Sequence, residues 1–229
     1  MRRVVPLFVV AVVVAGCGST KTVTVTTTET VTSTVTQTTA QKTAVRIYFL
    51  RDGKVAPVGR EVLSTKPDAL IEAFLQGPTD QERRAGFTIA GGQGGANVAP
   101  VVYTLSQFAP TKPVDYLGRS YTRADFEDAT PAILVESPLP FQAVTAPLRV
   151  TGTANTFEAT FEYELTDPDG TVLSHDFVTA TSGSGTRGTF DFTIPFEAPN
   201  GLGNLVVFER SAADGSKTHV VEIPLTLAR

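Results

Sequence analysis

His175 and His219 are the only side chains of the usual general-base type in the 229-residue chain. Both fall in segments that alternate apolar and polar residues, which predicts strands. Asp176 follows His175 directly. Neighbouring strand residues point to opposite faces, so this spacing does not build a His–Asp pair. Two histidines and a single cysteine leave no His/Cys zinc set, and no H-E-x-x-H or G-x-S-x-G run is present. Asp167 and Asp169 sit in an Asp-Pro-Asp-Gly turn without the further oxygen ligands that calcium takes. The Gly91–Gly95 loop lacks the Lys-Ser/Thr that follows the glycines of a phosphate loop; Ala96-Asn97-Val98 stands there instead, so it reads as a connector. No catalytic residue, metal or cofactor is therefore assigned. The loop from Thr181 to Gly188 is small, polar and carries one cation that can hold a carboxylate. Ser182, Ser184, Thr186 and Arg187 are the candidate recognition residues. The plainer reading is a hairpin loop whose glycines only make the turn.

The lone cysteine, Cys17, has a different context. Met1-Arg2-Arg3 is basic, and Val4 to Val14 is an apolar run. That run is shorter than the roughly 20 residues needed to span a bilayer, and it fits the h-region of a secretory signal. It ends in Val14-Ala15-Gly16-Cys17, which resembles a bacterial lipobox. The resemblance implies a signal peptide over 1–16, cleavage before Cys17 and diacylglycerol on its sulfur. The chain would then sit on the extracytoplasmic face of the cell membrane, anchored by acyl chains worth about 0.8 kcal/mol per buried CH₂. An ordinary signal peptide is the alternative. Between Thr20 and Ala40, twelve residues are Thr and four are Val. This alternation has strand propensity but no buried face, and residues 17–42 are expected to form a disordered tether.

Hydrophobic residues make up 41% and charged residues 18%, which supports a folded core. One cysteine excludes a disulfide scaffold. A net charge of −4 argues against a nucleic-acid partner. The charge is uneven. Residues 41–132 carry 11 Lys and Arg against 10 Asp and Glu; residues 133–229 carry 5 against 12. The acidic half should be repelled by anionic lipids and wall polymers, and a protein or a neutral glycan suits it better.

Residues 43–130 read as a small α+β domain. Val45–Leu50 is a strand, Arg51-Asp52-Gly53-Lys54 a tight turn, and Val55–Val62 the returning strand. Ser64 or Thr65 caps a helix whose Leu70, Ile71, Phe74 and Leu75 share a face. Thr79-Asp80-Gln81-Glu82 is a capping box opening a short helix. Asn97 caps another, with Val98, Val101, Val102, Leu105 and Phe108 on one face. Val114–Tyr121 forms a hairpin, and Thr122–Asp125 starts a helical turn. Val45–Phe49, Ala69–Thr79, Glu82, Gly86 and Val101–Phe108 resemble parts of a GerMN (sporulation and spore germination) domain. About two strands of that family are missing here, so the domain is internally shortened and its sheet left in question.

From 131 to 229 the pattern changes to seven strands separated by turns, which predicts an all-β sandwich. They are Ile133–Glu136, Leu148–Thr153, Phe157–Thr166, Val172–Ala180, Thr189–Phe196, Asn204–Ser211 and Thr218–Leu227. Phe157, Ala159, Phe161, Tyr163 and Leu165 are expected on one buried face. Pro224 suggests an edge position for the last strand. Val135–Pro138, Val150–Ala154, Phe157–Phe161, Thr186–Phe190 and Ser211–Gly215 resemble the immunoglobulin-like domain of bacterial spore germination. Together the two resemblances imply a non-catalytic binding or assembly module of the cell envelope, related to spore germination. Its expected partners are the membrane through Cys17 and an envelope protein or a neutral glycan such as peptidoglycan. The alternatives are a peptidoglycan-acting protein and a solute-binding lipoprotein.

Overall fold

The computed structural model describes residues 20–26, 32–38, 41–89, 98–197 and 201–228. Residues 1–16, Cys17, the Gly91–Gly95 loop and Asn97 lie outside them. The chain divides into two compact units, Met1–Lys42 and Thr43–Arg229. In the first, the backbone pairs β1 (Thr20–Thr26) with β2 (Thr32–Thr38) antiparallel, Val23 opposite Val35. An unpaired tether is expected there. The structure instead lets one β-branched run supply the strand partner for the other.

The second unit opens with β3 (Thr43–Arg51) and β4 (Lys54–Val62). Asp52 and Gly53 link them at φ 52° and 75°, the left-handed pair that a two-residue hairpin turn needs. Then come α1 (Pro67–Leu75), α2 (Asp80–Arg84), β5 (Phe87–Thr88) and α3 (Ala99–Ser106). A hairpin of β6 (Val114–Tyr116) and β7 (Arg119–Tyr121) and a 3-10 segment, Arg123–Ala129, complete this half. The capping box of α2 forms as expected, with Thr79 and Glu82 satisfying each other's backbone N–H groups. The cap residue of α1 is Lys66, not Ser64 or Thr65, and its side chain makes no capping bond. Leu75 is 70% exposed, because five helical steps carry it roughly 140° round from buried Leu70. The cap of α3 is Val98, and Phe108, beyond the helix end, is exposed.

The sheet order is β4-β3-β5, and β5 reaches only Leu50 and Arg51 of β3. The remainder of that edge is completed by side chains following and within α3. Gln107 accepts from Arg46 N–H and donates to Arg46 C=O, both at 2.9 Å. Thr104 Oγ1 accepts from Tyr48 N–H at 3.0 Å. An edge that would otherwise carry unpaired backbone groups is thus closed without another strand.

The C-terminal half is a sandwich. Its strands are β8 (Ile133–Ser137), β9 (Ala143–Thr145), β10 (Leu148–Ala154), β11 (Thr160–Thr166), β12 (Val172–Thr179), β13 (Gly188–Ile194), β14 (Gly201–Arg210) and β15 (Lys217–Ala228). One sheet runs β13-β10-β8 and the other β12-β11-β14-β15-β9. All pairings are antiparallel except β15 with β9. Phe161, Tyr163, Leu165, Val150, Ile194, Leu205, Val207 and Leu225 fill the space between them. Gly152 lies where β8 and β10 shift register; a Cβ there would stand 2.0 Å from the Leu134 carbonyl oxygen.

Two expectations are corrected here. Phe157 lies in a 3-10 turn and is 64% exposed, because the left-handed backbone at Glu158 and Ala159 breaks the alternation before β11 begins. The last strand, β15, is not a simple edge, because β9 pairs with Thr226–Ala228. Pro224 sits just before that ladder, where a missing N–H matters least, and its carbonyl accepts from Phe141 N–H at 2.6 Å.

Candidate ligand cleft at the junction of the halves

The sequence places a boundary at 130/131, but an apolar cluster crosses it. Tyr48 and Val55 from the hairpin, Ala99, Val102 and Tyr103 from α3, and Phe126 pack with Leu134 of β8. Polar groups reinforce the contact. Glu136 of β8 accepts from the Tyr48 hydroxyl and from Arg123 Nη1, the latter at 2.8 Å. Arg123 also donates to Ser106 Oγ and to the Tyr103 carbonyl, and its guanidinium stacks 4.5 Å over the Tyr103 ring. Burial pushes the Glu136 carboxyl up, but the Arg123 charge, the Tyr48 hydrogen bond and Arg46 outweigh it and hold the group below its usual range. Burial raises the Tyr48 hydroxyl far above its ordinary value, and the Glu136 charge adds to this.

Beside this network the halves leave a cleft of about 370 Å³. Val55 and Pro57 of β4 and Phe87 of β5 form one wall; Ile133 and Val135 of β8, Pro138, Pro140 and Ile223 of β15 form the other. Its volume and apolar walls suit a small ligand, and clefts between structural units are common ligand sites. Arg51 and Lys54 stand at its mouth, directly opposite each other in the β3–β4 ladder. Each reaches across to a backbone carbonyl of the surrounding structure. Arg51 donates to Glu222 O at 2.6 Å and lies 5.6 Å over Phe87, and Lys54 donates to Asp128 O at 2.5 Å. A second, wider groove of about 860 Å³ runs past Arg46, Arg60, Glu82, Gln107 and Phe141. Its best-placed cation, Arg60, is already held by both Glu82 oxygens at 2.7 Å.

The loop that carries Ser182, Ser184, Thr186 and Arg187 is held to the rest of the chain by hydrogen bonds. Arg187 is 16% exposed and its guanidinium grips Glu127, with Nη2 and Nε both 2.9 Å from carboxylate oxygens. It also donates to Pro131 O and Thr153 Oγ1. Held in this way, Arg187 ties the sandwich to the connecting segment. Ser184 Oγ accepts from Glu158 N–H, Ser184 N–H donates to Thr156 O, and Thr186 N–H donates to Gly183 O. Ser182 packs directly over Gly188. These residues knit the loop to residues 155–159 and lie outside the junction cleft.

Both histidines are engaged on the sandwich surface. His175 Nε2 lies 2.7 Å from Glu162, which Arg210 also grips, and His219 Nδ1 lies 2.8 Å from Glu209. His175 does not bond Asp176, consistent with their opposite faces. Among the described residues, no group of His, Cys, Asp and Glu is placed to hold a metal ion, and no helix is long and apolar enough to cross a membrane.

The sequence missed the junction cleft, the Tyr48–Glu136–Arg123 network and the Gln107 edge closure. One signal was available for the cleft: two cations, Arg51 and Lys54, flanking a tight turn at the end of a strand pair.

The first strand of the sandwich changes sheets, as β8 and then β9, and the last strand pairs with its second part in parallel. This arrangement defines an immunoglobulin-like domain, fused to an α+β half. Residues 132–216 match the family model for the immunoglobulin-like domain of bacterial spore germination. That match supports a role related to spore germination. No curated protein matches the chain.

Proposed function

We propose that the chain is a non-catalytic binding and assembly module of the cell envelope, held to the membrane by lipid on Cys17 and acting in processes related to spore germination. In this reading residues 43–130 are a shortened GerMN-like half, and Gln107 and Thr104 stand in for the strands it lacks. The partner is an envelope component, either a protein or a neutral glycan such as peptidoglycan, or a molecule that such a component presents. The observation that carries the binding reading is the junction cleft, an apolar recess that neither half forms alone.

The test uses the secreted chain carrying Cys17→Ser, so that no lipid is attached, and the neutral dye Nile red. Saturable one-to-one fluorescence enhancement, lost in Pro140→Trp at the cleft wall, is the expected result. Uptake that does not saturate, or that Pro140→Trp leaves unchanged, would remove the cleft as the binding site. Fractionation of cells tests the anchor: the wild-type protein should stay with the membrane, and a chain whose residues 1–17 are replaced by an ordinary cleaved signal peptide should leave it.

A further inference from the structure

The two cations at the cleft mouth are arranged in a way that a purely structural junction does not need. Arg51 and Lys54 face each other across the ladder, where like charges oppose pairing. The hydrogen bonds given to each are to neutral backbone carbonyls, Glu222 O and Asp128 O. Among the described residues, neither forms an ion pair with a carboxylate. Asp52 in the turn and Glu222 on the far wall line the same cleft, and Asp128 is near Lys54, yet none of their carboxylates pairs with either cation; Glu127 feels the Lys54 charge, but its oxygens are gripped by Arg187. Behind the cations lie apolar side chains, among them Val135, Pro138 and Ile223.

We infer that the junction cleft takes a small carboxylate with an apolar tail, its head received by Arg51 and Lys54 and its tail lying along β8 and β15. This rests on the cleft being a binding site. Exchanging a carbonyl for a carboxylate puts an opposite charge on each cation's acceptor and relieves the opposition of the two charges. Arg51 presents a planar fork that fits a carboxylate edge. A volume of about 370 Å³ holds a compact molecule, so an envelope protein or glycan would reach this cleft only through a small group that it presents.

The experiment titrates the Cys17→Ser chain with decanoate, decan-1-ol and decyltrimethylammonium, following the methyl resonances of Val135 and Ile223 and, as a remote control, Leu165. Decanoate should bind saturably and shift only the cleft methyls. Decanol should bind at least about tenfold more weakly, and the ammonium more weakly still. Lys54→Glu, a change at an exposed position, should weaken decanoate at least about tenfold and leave decanol unchanged, while Lys54→Arg should retain decanoate. Equal binding of decanoate and decanol, or decanoate binding indifferent to Lys54→Glu, would overturn the carboxylate inference while leaving the cleft as a site. If none of the three shifts the cleft methyls, both readings fall.

Discussion

Replacing Glu136 by Gln keeps the shape of the side chain and an oxygen for the Tyr48 hydroxyl, but leaves Arg123 charged without its counter-ion. The side chains of Arg123 and Glu136 are 12% and 16% exposed, so water reaches them only in part. Removing one partner of a buried pair typically costs about 3–5 kcal/mol. The residual exposure, and the bonds Arg123 keeps to Ser106 and Tyr103, place this case at the lower end, about 3 kcal/mol. For a unit of this size that lowers the melting temperature by roughly 6–12 °C. A buried pair is weakly screened, so the loss should be nearly the same at low and high salt. The companion variant Tyr48→Phe, Arg123→Met, Glu136→Leu removes all three polar partners together. It should lie closer to the wild type than Glu136→Gln does, because no charge of the pair is left buried alone, although Ser106 Oγ and the Tyr103 carbonyl lose their Arg123 donor. Calorimetry on the Cys17→Ser chain measures both. A fall below about 2 °C for Glu136→Gln, or a triple variant less stable than the single one, would refute the buried-pair account.

Gln107→Ala should expose the Arg46 N–H and C=O at the edge of β3, costing roughly 2–3 kcal/mol and speeding hydrogen exchange of the Arg46 amide; Gln107→Glu should also destabilise, since a carboxylate cannot donate to Arg46 C=O. Arg187→Ala should cost roughly 1–2 kcal/mol in chemical denaturation, because its guanidinium holds the Glu127 carboxylate, Thr153 Oγ1 and the Pro131 carbonyl together. Stability should also fall in acid. Burial raises the Glu82 and Glu136 carboxyls, but Arg60 and Thr79 around the first, and Arg123 and Tyr48 around the second, more than reverse this; Glu127 is lowered chiefly by its bond to Arg187. These depressed groups contribute stability that is fully present above the ordinary glutamate value of about 4.5 and is lost as pH falls through their folded values. Melting temperatures read between pH 7 and pH 3 should therefore stay level down to about pH 5 and then drop, and Glu136→Gln should flatten part of that drop.

Local chemistry was legible in the sequence where a short window contains its own cause. The Asp52-Gly53 turn, the Thr79–Glu82 capping box and the alternation of β11 through Phe161, Tyr163 and Leu165 each rest on neighbours a few residues apart. The errors fall where a local pattern ends within the window. Phe157 continues the alternation in sequence, but left-handed backbone at Glu158 turns it out; Leu75 continues the apolar run of α1 but rotates off its stripe. The three-residue strand β9 is too short to show a period. The junction had almost no local signature. Tyr48 and Glu136 are 88 positions apart, and Arg187 and Glu127 are 60. An arginine in a glycine-rich loop looks free for a ligand until the fold brings its carboxylate from elsewhere.

The same contrast explains why the cleft belongs to the pair of halves. Closing the β3 edge through Gln107 and Thr104 removes the need for another strand there, and the opposite face of the hairpin turns Tyr48 and Val55 toward Leu134. Once that contact is sealed by the Tyr48–Glu136–Arg123 network, the hairpin tip cannot swing without breaking buried polar bonds. Arg51 and Lys54 are then held at a fixed distance from β15 and from the connecting segment, and the space behind them stays open instead of collapsing. A ligand entering this cleft touches side chains from both halves, so its binding energy should stabilise the junction itself. Saturating decanoate should therefore raise the melting temperature of Glu136→Gln, and Lys54→Glu introduced into the same chain should remove most of that rise.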